Sequence, residues 1–154
     1  MLKGLSLIAL VMAISVDARN LRPNGYYPKE EPYTVVFQFQ NYASQRGTVF
    51  GIFTSAGSIW NEELEEIVAS YGGSTQGQLT GPEDGAEAAG LFQVRYPSGD
   101  IVLVGAGIGG DIKDPVCQAM VNEYDSGSLA ISYESDITGR TLTCIAKATN
   151  AQTV

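Results

Sequence analysis

Histidine is absent from this chain of 154 residues. That absence removes Ser–His and Cys–His nucleophile pairs, histidine-ligated metals and imidazole acid–base catalysis together. Any chemistry would fall to carboxylates, and no cofactor is expected. Basic residues are scarce, nine against seventeen acidic ones, for a formal net charge of −8. With no basic run and no aromatic–basic stripe, nucleic acid and anionic membrane surfaces are poor partners for such a chain. No N-x-[ST] acceptor occurs, so N-glycosylation should occlude no face. No apolar run reaches the length needed to cross a bilayer.

What is present begins with an export pattern. Lys3 supplies a short positive start, Leu5 to Val16 an apolar run of signal-peptide length, and Val16-Asp17-Ala18 small residues at the −3 and −1 positions. Residues 1–18 therefore read as a signal peptide, residues 19–32, with three prolines and alternating charges, as an extended leader, and residues 33–154 as one domain. The expected localisation is extracellular. Two cysteines, Cys117 and Cys144, in an exported chain suggest a disulfide, the alternative being two free, buried thiols.

Hydrophobic periodicity outlines the domain. From Tyr33 to Gln40 the residues alternate, with Val35, Phe37 and Phe39 on one side, as in a half-buried strand; Thr48 to Phe53 follows as a second. Over residues 61–71 the period changes. Leu64, Ile67, Val68 and Tyr71 fall on one helical stripe, Asn61 suits an N-cap, and Gly72-Gly73 suits a stop, which predicts a short helix. Its Glu62, Glu63, Glu65 and Glu66 are then a solvated face, because adjacent helical carboxylates diverge and do not flank a sugar as a glycosidase pair must. Gly72 to Glu87 reads as a long polar loop. Ala88 to Tyr96 and Asp100 to Ile108 form a hairpin around Pro97-Ser98-Gly99, and Ser128 to Glu134 and Thr141 to Ala148 are two further strands. Short strands at this spacing predict a mainly β chain, a single antiparallel β-sandwich with one short helix.

Gly105, Gly107 and Gly110 behind the apolar Ile101 to Val104 form a G-x-G-x-x-G pattern. A dinucleotide site needs the third glycine to open a helix whose amides hold the pyrophosphate. Here Asp111 and Asp114 would repel phosphate, Pro115 disfavours helical geometry at Asp114, and too little chain remains for further βα units. A strand end followed by a wide turn explains the glycines better.

Two blocks carry a resemblance. Ser55-Ala-Gly-Ser-Ile-Trp60, Glu62, and Gly72-Gly-Ser-Thr-Gln-Gly77 are similar to the Ala-Asn-Gly-Gly-Thr-Trp and Gly-Gly-Ser-Gly-Thr-Ser-Gly segments of the fungal fruit-body lectins. Gly99-Asp100, the apolar strand, Gly107-Ile108, Lys113 and Cys117 follow that family's Gly-Glu…Gly-Val-His-Asn-Tyr-Lys-Arg-Trp-Cys pattern. The chain thus resembles that family, whose β-sandwich is shared with the actinoporins, over Tyr33 to Ala148. It departs where Gly110-Asp111-Ile112 replaces His-Asn-Tyr, where Gln118-Ala-Met-Val121 replaces Asp-Ile-Val-Thr, and in carrying an export signal.

The resemblance implies a lectin for galactose or N-acetylated sugars on the glycans or glycoproteins of another cell, with a homo-oligomer as an open option. One implied sugar site collects Ser55, Gly73, Ser74 and Asp111; a second collects Gln118, Tyr133 and Arg140. For Ser74 and Asp111, beside glycines, plain turn chemistry is the competing account, for Arg140 solvation, and Trp60 reads as core in place of a sugar platform. A secreted effector or toxin binding proteins through the same sandwich is the first alternative. An actinoporin-like membrane-active protein ranks lower, because residues 19–32 hold too many prolines and charges for an inserting amphipathic helix, so no stable membrane insertion is expected. An enzyme ranks last.

Overall fold

The computed structural model describes residues 30–55, 57–110, 112–122 and 128–151. The expected signal peptide, most of the leader and Asp111 lie outside the described residues. Ten strands follow one another: β1 (Thr34–Asn41), β2 (Gly47–Thr54), β3 (Ile59–Glu62), β4 (Ile67–Val68), β5 (Gly73–Thr80), β6 (Ala88–Arg95), β7 (Ile101–Ile108), β8 (Val116–Asn122), β9 (Leu129–Thr138) and β10 (Thr141–Asn150). They form two five-stranded sheets, β3-β5-β1-β10-β9 and β4-β2-β6-β7-β8, stacked as a sandwich. One pairing departs from a purely antiparallel arrangement: β1 and β10 run parallel, with Phe37 opposite Cys144.

The alternation read from the sequence is what builds the core. Val35, Phe37 and Phe39 of β1 are fully buried, and so are Leu142, Cys144 and Ala146 of β10. From the facing sheet come Phe92, Val94, Val102 and Val104. The ring of Phe92 meets those of Phe37 and Phe39 edge-on, at 5.4 and 6.2 Å between centroids. A disulfide joins Cys117 of β8 to Cys144 of β10 and so ties one sheet to the other.

The expected helix over residues 61–71 is corrected. The segment forms β3 and β4 with a turn between them. Its apolar stripe is divided between two sheets: Leu64 packs beside Gly77 of the first, and Val68 pairs with Gly47 in the second. Leu64 and Val68 are buried, whereas Ile67 and Tyr71 of the same stripe are 52% and 76% exposed. The segment crosses from sheet to sheet, and the backbone pairing available on each side overrides its helical period. The polar loop expected from Gly72 to Glu87 is corrected in part, since Gly73–Thr80 is β5, a strand interior to its sheet. Thr75, Gly77 and Leu79 point inward, and Gly77 lacks a side chain because Trp60 and Leu64 occupy that space. Trp60 packs on the core, its ring 5.5 Å from that of Phe37. The glycines of the nucleotide-like pattern lie in β7 and the turn after it, and the chain returns as β8, with no helix.

A buried amide ties the strands together at one end. Asn41, fully buried, donates through Nδ2 to the carbonyls of Gln45 and Ala69 at 2.8 and 3.1 Å. Its Oδ1 accepts from the Ala43 amide at 3.2 Å and from the Tyr96 hydroxyl at 3.0 Å. Burial pushes the Tyr96 hydroxyl well above its ordinary value of 10.0. The unfolded chain would release this proton near pH 10 while the folded chain keeps it, so the group's stabilising contribution is present below pH 10 and declines as pH rises beyond it. Tyr96→Phe should therefore cost about 1 kcal/mol at neutral pH and flatten the alkaline loss of stability. Urea midpoints of both proteins on either side of pH 10 check this, and parallel alkaline slopes would contradict it.

Candidate functional site

The network around Asn41 also shapes the surface above it. The amide of Gly72 donates to the Asn41 carbonyl at 2.7 Å, that of Tyr71 to the Ala43 carbonyl at 3.0 Å, and that of Tyr42 to the Ala148 carbonyl at 2.8 Å. Two turns, one after β1 and one before β5, are thereby held side by side at the end of the first sheet. Each presents a tyrosine: Tyr42 is 50% and Tyr71 76% exposed. Tyr71 has φ 56°, the only positive φ of a non-glycine residue among the described residues. A bulky side chain in that conformation costs about 1–2 kcal/mol, and residues held so against their preference cluster at ligand-binding sites. The neighbouring Gly72 has φ 111°, and Gly73 sits so close to the Ala69 backbone that no side chain fits.

Polar groups surround the tyrosines. The Tyr42 hydroxyl donates to Gln40 Oε1 at 3.2 Å, and Ser44 donates through its amide and hydroxyl to Asn150 Oδ1, both at 3.1 Å. Across the outer surface, Ser74, Gln40, Lys147 and Ser132 stand in register on β5, β1, β10 and β9. At the far side of that row, Ser132, Tyr133, Glu134, Ile145 and Lys147 line a shallow depression of about 100 Å³. There the Lys147 ammonium pairs with Glu134 at 3.1 Å. The arrangement offers exposed aromatic rings, amides and hydroxyls on a rigid frame, a set suited to holding a polyhydroxylated ligand.

The residues expected from sequence distribute unevenly over this frame. Gly73 and Ser74 lie at the tyrosine end, and Tyr133 lies at the same end of the same sheet. Ser55 does not join them. It is buried, its amide donates to the Ala89 carbonyl at 2.9 Å, and its hydroxyl shares a hydrogen bond with that of Ser58 at 2.8 Å. That position follows β2 and adjoins β6 of the second sheet, whereas Ser74 lies on β5 of the first. Gln118 pairs with Gly105 in the other sheet. Arg140 is engaged with the leader: its guanidinium donates to the Glu31 carbonyl at 2.7 Å, pairs with Glu30 at 3.2 Å and lies 4.6 Å from the centre of the Tyr33 ring. Tyr42, Tyr71 and Gln40 were not singled out by sequence reasoning. The one available signal was Tyr71 directly before Gly72-Gly73, which the helical period had assigned to a buried stripe.

The second sheet differs outside. Ile52, Phe53 and Ile67 are 42%, 44% and 52% exposed. Nearby, Arg46, Thr48, Arg95, Tyr96 and Pro97 line a recess of about 170 Å³, and the Arg95 guanidinium lies 4.3 Å from the centre of the Phe50 ring. Among the described residues no group of acids and cysteines is placed to hold a metal ion, and no helix is long and apolar enough to cross a membrane.

The architecture is a two-sheet β-sandwich, the fold that the sequence resemblance implied. The chain is similar in structure to the lipid-binding protein Nakanori, with a TM-score of 0.65 at 10% identity over 80% of this chain and 72% of that one. A lectin of Xerocomus chrysenteron, XCL, aligns with a TM-score of 0.46 at 9% identity over 76% of this chain and 99% of that one. At 10% identity the likeness to Nakanori is one of fold. No family model matches the chain, and no curated protein matches it.

Proposed function

We propose that this chain is a secreted, lectin-like protein that binds neutral sugars at the tyrosine-bearing end of its first sheet and does not turn them over. The observation that carries this reading is Tyr71, held three-quarters exposed in a backbone conformation unfavourable to it. An exposed ring invites the C–H face of a pyranose, and Tyr42, Gln40 and Ser74 stand around it with donors and acceptors for hydroxyl or acetamido groups. The lack of histidine favours binding over catalysis, and the disulfide suits an oxidising, extracellular setting. A glycan array with the oxidised mature protein tests the reading, with galactose and N-acetylated sugars on glycoconjugates as leading candidates. Saturable binding abolished by Tyr71→Ala is the expected result. A blank array together with saturable capture of a host protein would replace the lectin with the effector.

A second reading rests on the other face. Exposed Ile67 stands opposite Thr48, which with Arg46 and Arg95 lines a positively charged recess on an otherwise acidic protein, while exposed Ile52 and Phe53 lie farther along β2, and Nakanori, of similar fold, is a lipid-binding protein. Such a surface suits peripheral attachment to a lipid surface without insertion. Flotation with anionic vesicles should then fall with Arg46→Glu and persist with Tyr71→Ala. Vesicles left unbound by the unaltered protein would dismiss this second reading and leave the first intact.

A further inference from the structure

We infer that the whole outer face of the first sheet, continuous with the tyrosine end, is a binding surface for an extended neutral polysaccharide chain and not for a single terminal sugar. The inference rests on the sugar-binding reading above and specifies its ligand.

The strand register places the outward side chains in rows. Thr80, Thr34, Thr141 and Thr138 stand opposite one another on β5, β1, β10 and β9, so four threonines form one line across the sheet. Two positions along, Gln78, Val36 and Thr143 form the next row on the three middle strands; Gln76, Gln38 and Ile145 follow. The row after that, Ser74, Gln40 and Lys147, borders Tyr42 and the turn that carries Tyr71. The strands alternate regularly between buried and accessible positions, so these side chains share one surface. Eight residues of strand extend it about 25 Å, room for several linked sugar rings.

Its charge is what selects the polymer. In a chain with seventeen acidic residues, the outward positions of the three middle strands include no carboxylate. Their one cation, Lys147, is paired with Glu134. The carboxylates lie at the two borders, Glu62 on β3 and Glu134 and Asp136 on β9. An anionic polymer would meet those borders and the net charge unfavourably, while a neutral one meets hydroxyls and amides. Threonine is stiff at χ1, and Gln38 Nε2 donates to Gln76 Oε1 at 3.2 Å across the strands. The polar groups are thus largely positioned before a ligand arrives, which lowers the entropic cost of binding. Val36 and Ile145 supply apolar spots between them for ring C–H groups. The depression of about 100 Å³ lies at the β9–β10 border of the face, and the polar rows of the middle strands suit the side of a chain better than the enclosure of a chain end.

Calorimetric titration with neutral N-acetylglucosamine oligomers of increasing length tests the inference. Affinity should rise at least about tenfold, some 1.4 kcal/mol, between the disaccharide and a chain long enough to span the face. Thr34→Glu with Thr141→Glu, at the row farthest from the tyrosines, should erase that gain. The milder Thr34→Val with Thr141→Val removes the hydroxyls while keeping strand propensity, and should erase part of it. Equal affinity at all lengths, or a length gain that survives both double variants, overturns the extended-chain inference while the tyrosine site stands. Equally strong binding of polygalacturonate overturns the requirement for neutrality. Absence of binding at every length, to this and to all other sugars, overturns the underlying sugar-binding reading as well.

Discussion

Tyr71→Gly is expected to make the protein more stable and a poorer binder at once. Tyr71 has φ 56°, a region glycine enters without steric cost and other residues enter at about 1–2 kcal/mol. Glycine returns part of that gain through the greater freedom of its unfolded chain, so a net rise of about 1 kcal/mol or somewhat less is expected. The ring itself contributes little to folding, because it is 76% exposed. In the proposed sugar site the ring would be the main surface, and its removal should weaken sugar affinity tenfold or more, about 1.4 kcal/mol. Opposite signs in two measurements on one variant distinguish a side chain retained for a ligand from one that merely occupies a turn. Chemical denaturation and titration with the best array ligand provide both values. Unchanged affinity alongside increased stability would remove Tyr71 from the site.

Removing the disulfide should have the largest effect on folding. Cys117 and Cys144 are separated by 27 positions and link strands of opposite sheets. The chain-entropy relation for a loop of that length gives about 3.5 kcal/mol, a large fraction of the stability of a domain this size. Alanine is the appropriate replacement, because Cys144 is fully buried and a serine hydroxyl there would introduce a second effect. Cys117→Ala with Cys144→Ala is thus expected to lower the thermal midpoint by roughly 10 °C or more. Sugar affinity at low temperature should be retained, since neither cysteine belongs to the tyrosine end. A loss below about 1 kcal/mol would show that sheet packing alone holds the two layers in place.

The strands that were legible in sequence share one property. β1, β6, β7 and β10 carry bulky apolar residues on the face that meets the other sheet, so their period of two or their continuous apolar run is visible without the fold. β5 was not legible because its inward positions are Thr75, Gly77 and Leu79, a set too small and polar to register as a strand. Those residues are small for the reason given by the structure: Trp60 and Leu64, distant in sequence, fill the volume beside Gly77. Residues 61–71 misled in the opposite sense, their apolar residues matching a helical period by serving two different sheets in turn.

The candidate site shows the same division. Gly73 and Ser74 were marked by the resemblance, and they lie at the tyrosine end. Ser55 was marked with them and lies in a buried hydroxyl pair near Ala89. Tyr42 and Tyr71, far apart along the chain, meet through Asn41, a residue whose sequence context suggests only a turn.

By itself the sequence determined the class of the protein: mainly β, without histidine, acidic, with one candidate cysteine pair. These follow from composition and from short-range periodicity, which act within a strand or a turn. Only the tertiary structure decided that β1 pairs parallel with β10, that the threonines of four strands fall in one row, and that two tyrosines share an end. Those are relations between segments distant in the chain. They are set by which backbone edges meet and which volumes remain to be filled, and no local pattern of residues encodes either.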